Sequence, residues 1–181
     1  MIRNIEETIL HSGWKILKSI SFEYENKRGN WKKDKKEVYI RGDAATILLY
    51  NLERKSVLLT KQFRMPTYMN GNNDGHLIET CAGMLDGRSP VDCIMKETEE
   101  ETGLKISNVT QIFNGYTSPG AITEMMYFFI GEYNDEMRVG EGGGLEEENE
   151  KIEVLEMPFD ELFQKIYSGE IRDVKTIVLA L

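Results

Sequence analysis

The feature that most constrains this chain is a crowd of carboxylates at the unfavourable end of a helix. From Cys81 to Leu104 the sequence reads CAGMLDGRSPVDCIMKETEEETGL. Ser89 can cap a helix there, Pro90 suits its first turn, Asp92 carries negative charge into that turn, and Gly103 is a ready stop. The last turns hold Glu97, Glu99, Glu100 and Glu101, where the helix dipole disfavours negative charge and carboxylates three or four apart repel. Something has to offset that cost. Val91, Ile94, Met95 and Thr98 follow the spacing of a buried stripe. Glu97, Glu100 and Glu101 share another face roughly a third of a turn around, at about 100° per residue, and Glu99 points elsewhere.

Three carboxylates projecting together can hold a hard divalent cation such as Mg²⁺, with water and a substrate phosphate completing its shell. A solvated acidic helix end is the plainer alternative, and a charge run alone does not choose between them. Gly83 and Gly87 shift the balance. A flexible turn ahead of a capped helix lets backbone and carboxylates converge on one phosphate and metal site.

At 181 residues the chain fits one domain with a small extension. A net charge of −9 argues against a general nucleic-acid or bilayer binder, but is compatible with a local basic patch that grips a small phosphorylated substrate. The two cysteines, Cys81 and Cys93, have neither the number nor the spacing of a disulfide framework or zinc site, and are expected to be reduced. Without a signal pattern or a long apolar run, a cytoplasmic protein is expected.

Ile16 to Tyr24 alternates as a strand, Glu25 to Lys36 reads as a polar turn, and a second strand is expected around Glu37 to Arg41, giving an N-terminal antiparallel hairpin. Lys32, Lys33, Lys35 and Lys36 form either a solvated turn or a phosphate or partner contact. Ala45 to Tyr50 and Ser56 to Gln62 are apolar, β-rich runs suited to paired central strands. Arg64 can clamp a phosphate or form a surface ion pair. Met65 to Gly75 reads as a loop and Leu77 to Thr80 as a strand leading into the glutamate helix.

Further strands are expected at Val109 to Phe113, Met125 to Ile130 and Ile152 to Met157. Helices are expected at Pro158 to Tyr167 and at Ile171 to Leu181, the latter capped by Asp173. Glu124 sits where a carboxylate could meet a ligand at the sheet edge. Gly140 to Glu150 combines chain freedom with dense negative charge, as either a mobile acidic loop or one that brings a carboxylate to the metal. Periodicity alone supports a mixed α and β domain.

The glutamate helix with its approach resembles the Nudix box, a glycine, a loop, and an Arg-Glu-x-x-Glu-Glu-x-Gly helix. Gly83 matches the glycine, Lys96-Glu97 stands at Arg-Glu, and Glu100-Glu101-Thr102-Gly103-Leu104 completes the pattern. Ser89 stands where the box usually has a loop glutamate, Lys96 replaces the arginine, and the interval from Gly83 to Lys96 is one residue short. The stretches YIRGDAATILLYN, KQFR, GNNDGHLIETCAG, TSPGAITE, GGGLEEE and GEIRDVKT are similar to the bacterial GDP-mannose pyrophosphatase branch of the family, which is close to ADP-ribose pyrophosphatases.

The resemblance implies an α/β fold, a Nudix-type α/β/α sandwich with a mixed sheet at residues 42–181, and an N-terminal antiparallel β extension at 1–41 that serves dimerisation. It implies hydrolysis of GDP-mannose to GMP and mannose 1-phosphate with Mg²⁺, or Mn²⁺ in its place, by a homodimer with shared active sites, and ADP-ribose or another nucleoside diphosphate sugar is the alternative substrate. A catalytically silent nucleotide-binding regulator is the alternative of a different class. The metal ligands it implies are Glu97, Glu100, Glu101, the carbonyl of Ala82, and Glu148 from the acidic loop, with Glu146 and Glu147 close neighbours. Glu100, Glu101 and Glu148 are the implied catalytic carboxylates. Substrate contacts implied are Trp14, Lys35, Lys36, Glu37, Arg64, Ala82, Gly83, Met84, Glu101, Glu124, Glu147, Glu148 and Lys175. Trp14 would stack on the base, and Lys35, Lys36 and Glu37 would reach across from a second subunit.

Overall fold

The computed structural model describes residues 1–145, 147 and 151–181. The chain divides into two units, Met1–Asp43 with Gly115–Met126, and Ala44–Asn114 with Tyr127–Leu181.

The first unit is built on an antiparallel sheet of β1 (Ile2–Ser12), β2 (Ile16–Glu25) and β3 (Trp31–Ile40), in that order. β2 is the strand that alternation predicts. β3 begins well before the expected Glu37, so Lys32, Lys33, Lys35 and Lys36 lie on a strand and not in a turn. The turn itself is short because Asn26 Oδ1 accepts from the amides of Arg28 (2.9 Å) and Asn30 (3.1 Å), while Gly29 takes φ 76°. The ladder then runs unbroken from Glu25↔Trp31 to Ile16↔Ile40 and sets Glu23 opposite Lys33. β1 escapes sequence reading for a physical reason. Register shifts between Arg3 and Glu6 and between Ile9 and His11 break the period of two that marks a strand.

The second unit holds a mixed sheet. Its strands are β4 (Ala44–Asn51), β5 (Ser56–Phe63), β6 (His76–Glu79), β7 (Cys81–Met84), β8 (Thr110–Tyr116), β9 (Met125–Glu132) and β10 (Glu153–Pro158). The order is β10-β5-β4-β9-β8, with β6 paired to β5 and β7 to β4. The helices are α1 (Met65–Met69), α2 (Pro90–Thr102), α3 (Phe159–Ser168) and α4 (Val174–Ala180).

Alternation along β4 and β5 builds two cores on opposite faces of the sheet. Ala45, Ile47, Leu49 and Leu58 face Cys93 and Ile94 of α2, whereas Leu48, Val57 and Leu59 join Leu162 of α3 and Ile177 of α4. This is the expected α/β/α layering. Two local expectations need correction. Met65 to Gly75 is not loop throughout, because Pro66 opens the short helix α1. Gly83 lies within β7, paired with Ala45, and the turn falls instead at Gly87 (φ 86°).

Candidate active site

α2 starts and stops where its caps dictate. Ser89 Oγ accepts from Asp92 N at 3.1 Å, and Gly103 takes φ 72° while its amide returns to Glu99 O at 3.0 Å. Its buried side chains are Cys93, Ile94, Thr98, Glu101 and Thr102. The expected stripe is therefore rotated, since Val91 is 41% exposed and Met95 only half-buried. The two threonines can lie on this face because their hydroxyls are satisfied within the helix. Thr98 Oγ1 donates to Ile94 O (2.7 Å) and Thr102 Oγ1 to Thr98 O (2.6 Å).

The rotation carries Glu101 inward, to 2% exposure, against β7. There the Cys81 thiol shares a hydrogen bond with it, and burial, with Glu101 alongside, pushes that thiol well above its ordinary pKa. Glu97, one turn earlier, lies directly over the backbone of Gly83. A Cβ at position 83 would meet Glu97 Cδ at 2.1 Å and Cγ at 2.3 Å, so only glycine admits the carboxylate there. Lys96 pairs with Glu100 and also lies in the field of Glu97; together these outweigh the desolvation that lowers its pKa. The lysine at the arginine position thus offsets part of the crowding among the carboxylates.

The start of the glycine-rich loop supplies another compensation, which its composition conceals. Gly143 N donates to Glu101 O (2.9 Å), Gly144 N to Glu100 O (3.2 Å) and Val139 N to Gly103 O (2.8 Å), so loop amides cap the carbonyl end of α2. A Cβ on Gly142 would lie 2.4 Å from Glu101 O, so a glycine is needed for this approach. Glu147 is exposed. Glu146 and Glu148 lie outside the described residues.

Arg64, between β5 and α1, meets Glu79 on the neighbouring β6. Its Nε and Nη2 donate to Glu79 Oε2 at 2.9 and 2.7 Å, while Lys175 Nζ stands 3.7 Å from Glu79 Oε1 and 2.6 Å from Asp173 Oδ1. Burial pulls the Arg64 guanidinium down, but Glu79, Glu101 and Asp173 outweigh it and leave its pKa raised. Arg64, Glu79, Asp173 and Lys175 thus form one cluster of ion pairs. Sequence reading missed Glu79, whose only signal is its place two residues before Cys81.

It also missed the threonines that fasten α4 beneath the site. Thr176 Oγ1 accepts from Thr80 N (2.7 Å), donates to Asp173 Oδ2 (2.7 Å), and lies 3.4 Å from Thr80 Oγ1, which meets Thr46 Oγ1 at 2.8 Å. Ala82 and Met84 are half-buried in β7.

The other expected contacts belong to the first unit. Trp14, 75% exposed, lies between β1 and β2 with Lys15 Nζ 5.3 Å from its ring centroid. Lys35, Lys36 and Glu37 are exposed on β3, and Lys36 pairs with Asp34 at 3.0 Å. Glu124 is buried at 4%, paired with Arg41 and accepting from Thr117 Oγ1 at 2.6 Å, so it is no plain surface carboxylate.

The NUDIX domain pattern matches residues 40–177, and the pattern of the GDP-mannose pyrophosphatase NudK N-terminal domain matches residues 1–39. The chain belongs to the Nudix family. Over 175 residues it is 49% identical to the GDP-mannose pyrophosphatase of Cronobacter sakazakii and 50% identical to that of Salmonella paratyphi B, covering 97% of this chain and 91% of each relative. Its fold is like that in a crystal structure of an ADP compounds hydrolase, with a TM-score of 0.74 at 16% identity, over 99% of this chain and 89% of that one.

Nudix hydrolases generally depend on a divalent metal. The donors gathered at α2 and β7 are hard oxygens, which suit such an ion, and the cradle at Gly83 keeps the Glu97 carboxylate over the strand. Among the described residues no three His, Cys, Asp or Glu side chains already converge as a ready ligand set. Also among the described residues, no helix is long and apolar enough to cross a membrane.

Proposed function

We propose that this chain hydrolyses GDP-mannose to GMP and mannose 1-phosphate, with Mg²⁺ as its cation and Mn²⁺ as a substitute. The observation that carries the reading is Glu97 seated over Gly83 with buried Glu101 one turn on, in a chain half identical to GDP-mannose pyrophosphatases along nearly its whole length. Glu97, Glu101 and the carbonyl of Ala82 hold the cation, with Glu100 and Glu148 as further ligands. When bound, the cation neutralises the diphosphate and stabilises the departing oxygen.

The chain's own groups do the rest. Water attacks phosphorus, and a carboxylate, Glu148 or Glu100, accepts its proton. For Glu100 this requires release from Lys96. Arg64 and Lys175 orient the diphosphate. Trp14 stacks on the base, and Gly83, Met84, Glu124 and Glu147 line the substrate's path.

The working form is a cytoplasmic homodimer joined through residues 1–41, in which Lys35, Lys36 and Glu37 reach the partner's substrate. Supporting this, β1 leaves Ile2, Ile5 and Ile9 each more than half exposed.

A substrate panel with Mg²⁺ tests the activity. GDP-mannose is expected to yield GMP and mannose 1-phosphate at a kcat/KM well above that for ADP-ribose. Cleavage of ADP-ribose without cleavage of GDP-mannose overturns the assignment. Tight binding of GDP-mannose without turnover points instead to a silent regulator.

A further inference from the structure

Glu79 is 4% exposed, and its two oxygens serve different cations: Oε2 takes Arg64 and Oε1 faces Lys175. Side-chain exposure rises outward, from 5% at Glu79 and 10% at Asp173 to 18% at Lys175 and 40% at Arg64. The anions are the more buried members of the cluster and the cations the more exposed. Stability does not explain such an arrangement, because a buried ion cluster gains little over well-packed apolar residues of similar size. Nor is Glu79 placed to serve as a solvent-exposed ligand.

The surroundings say what the buried carboxylates do. Arg64 lies in the field of Glu101 as well as of Glu79. Held through Nε and one terminal amine, the Arg64 guanidinium keeps further donors for an oxyanion. Asp173 holds Lys175 from the other side while also capping α4, so the C-terminal helix is fastened to the same device.

We infer that Glu79 is a positioning residue for the substrate diphosphate: it fixes Arg64 and Lys175 as a paired oxyanion clamp. This rests on the proposed pyrophosphohydrolase reading of the site.

The test is a mutant cycle on the full chain with E79Q, R64A/K175A and the triple variant, each confirmed folded by circular dichroism. The probe is methylenediphosphonate, a diphosphate that cannot be hydrolysed, titrated by calorimetry at fixed Mg²⁺. E79Q is expected to weaken its binding roughly tenfold, the scale of one charge-assisted hydrogen bond, and to raise KM for GDP-mannose similarly with a smaller change in kcat. In the R64A/K175A background the same substitution is expected to change neither quantity.

An equal loss in both backgrounds, or no loss in folded E79Q, overturns the inference. Should E79Q not fold, or the double variant bind too weakly to measure, D173N is compared with and without K175A. Asparagine still caps α4, so the expected loss of diphosphonate binding vanishes once Lys175 is gone, and a loss that persists overturns the clamp. Coupled diphosphonate binding in a chain that cleaves no nucleotide sugar would sink the proposed function and leave the clamp standing. Cleavage of GDP-mannose without coupling would do the reverse.

Discussion

Replacing Gly83 by alanine separates the fold from the chemistry. The added methyl would lie 2.1 Å from Glu97 Cδ, 2.3 Å from Cγ and 2.5 Å from Oε1, so the carboxylate has to retreat by more than about 1 Å to reach ordinary contact. What obstructs the methyl is a side chain, and φ at Gly83 lies outside the left-handed region, so the backbone can stay where it is. Forcing Glu97 from its rotamer costs about 0.5–1.5 kcal/mol. Removing a glycine from a strand returns about 0.5–1 kcal/mol through the unfolded chain.

The two nearly cancel, and Tm should move by no more than about 3 °C. Activity should not survive so well, because a misplacement of about 1 Å in a reacting constellation costs on the order of 10²-fold. Thermal unfolding, kcat/KM for GDP-mannose and Mn²⁺ affinity, measured on one preparation, check this. A folded Gly83→Ala protein with near-normal kcat/KM and cation affinity would refute the claim that this glycine exists to seat Glu97.

Other outcomes follow from the same contacts. Glu101→Gln keeps an acceptor for the Cys81 thiol but loses the charge, so hydrolysis should fall by at least about 10²-fold with the circular dichroism spectrum unchanged. A folded variant with normal turnover counts against Glu101 as a ligand. Thr176→Val strands the Thr80 amide beneath the site and should cost about 2 kcal/mol, or roughly 4–8 °C in Tm; a shift below about 1 °C shows that the bond adds nothing.

Burial, followed by the field of Glu97, pushes the Cys93 thiol up to about 11, and that thiol donates to Met84 O at 3.2 Å. A folded-state pKa above the unfolded value gives stability that is intact below pH 9 and lost as pH rises towards 11. Chemical denaturation should show a decline of up to about 2 kcal/mol across that window, and Cys93→Ala should reduce the slope. An identical slope in the variant would rule out this thiol as the source.

How much could be foreseen depended on how local the determinants were. The limits of α2 were legible because Ser89, Pro90 and Gly103 act through their own turns, and β4, β5, β9 and both C-terminal helices announced themselves by period and cap. Glu97, Glu100 and Glu101 could be named as a group because their spacing and mutual repulsion are properties of one helix. The whole-chain resemblance supplied the reaction that spacing alone could not.

Tertiary packing decided which way those groups point. Rotation of α2 on β4 and β7 exposed Val91, buried Glu101, and turned Gly83 from part of an expected turn into a cradle beneath Glu97. β1 was hidden by bulges that destroy alternation, and the glycine-rich run gave no hint that its amides cap the carbonyls of α2. Glu79 could be assigned only once β5, β6 and the start of α4 were folded together, because its partners Arg64 and Lys175 are far apart in the chain. A sequence states which groups a turn or a strand carries. Which of them are buried beside one another, and therefore how strongly their charges act, depends on long-range packing that no local spacing encodes.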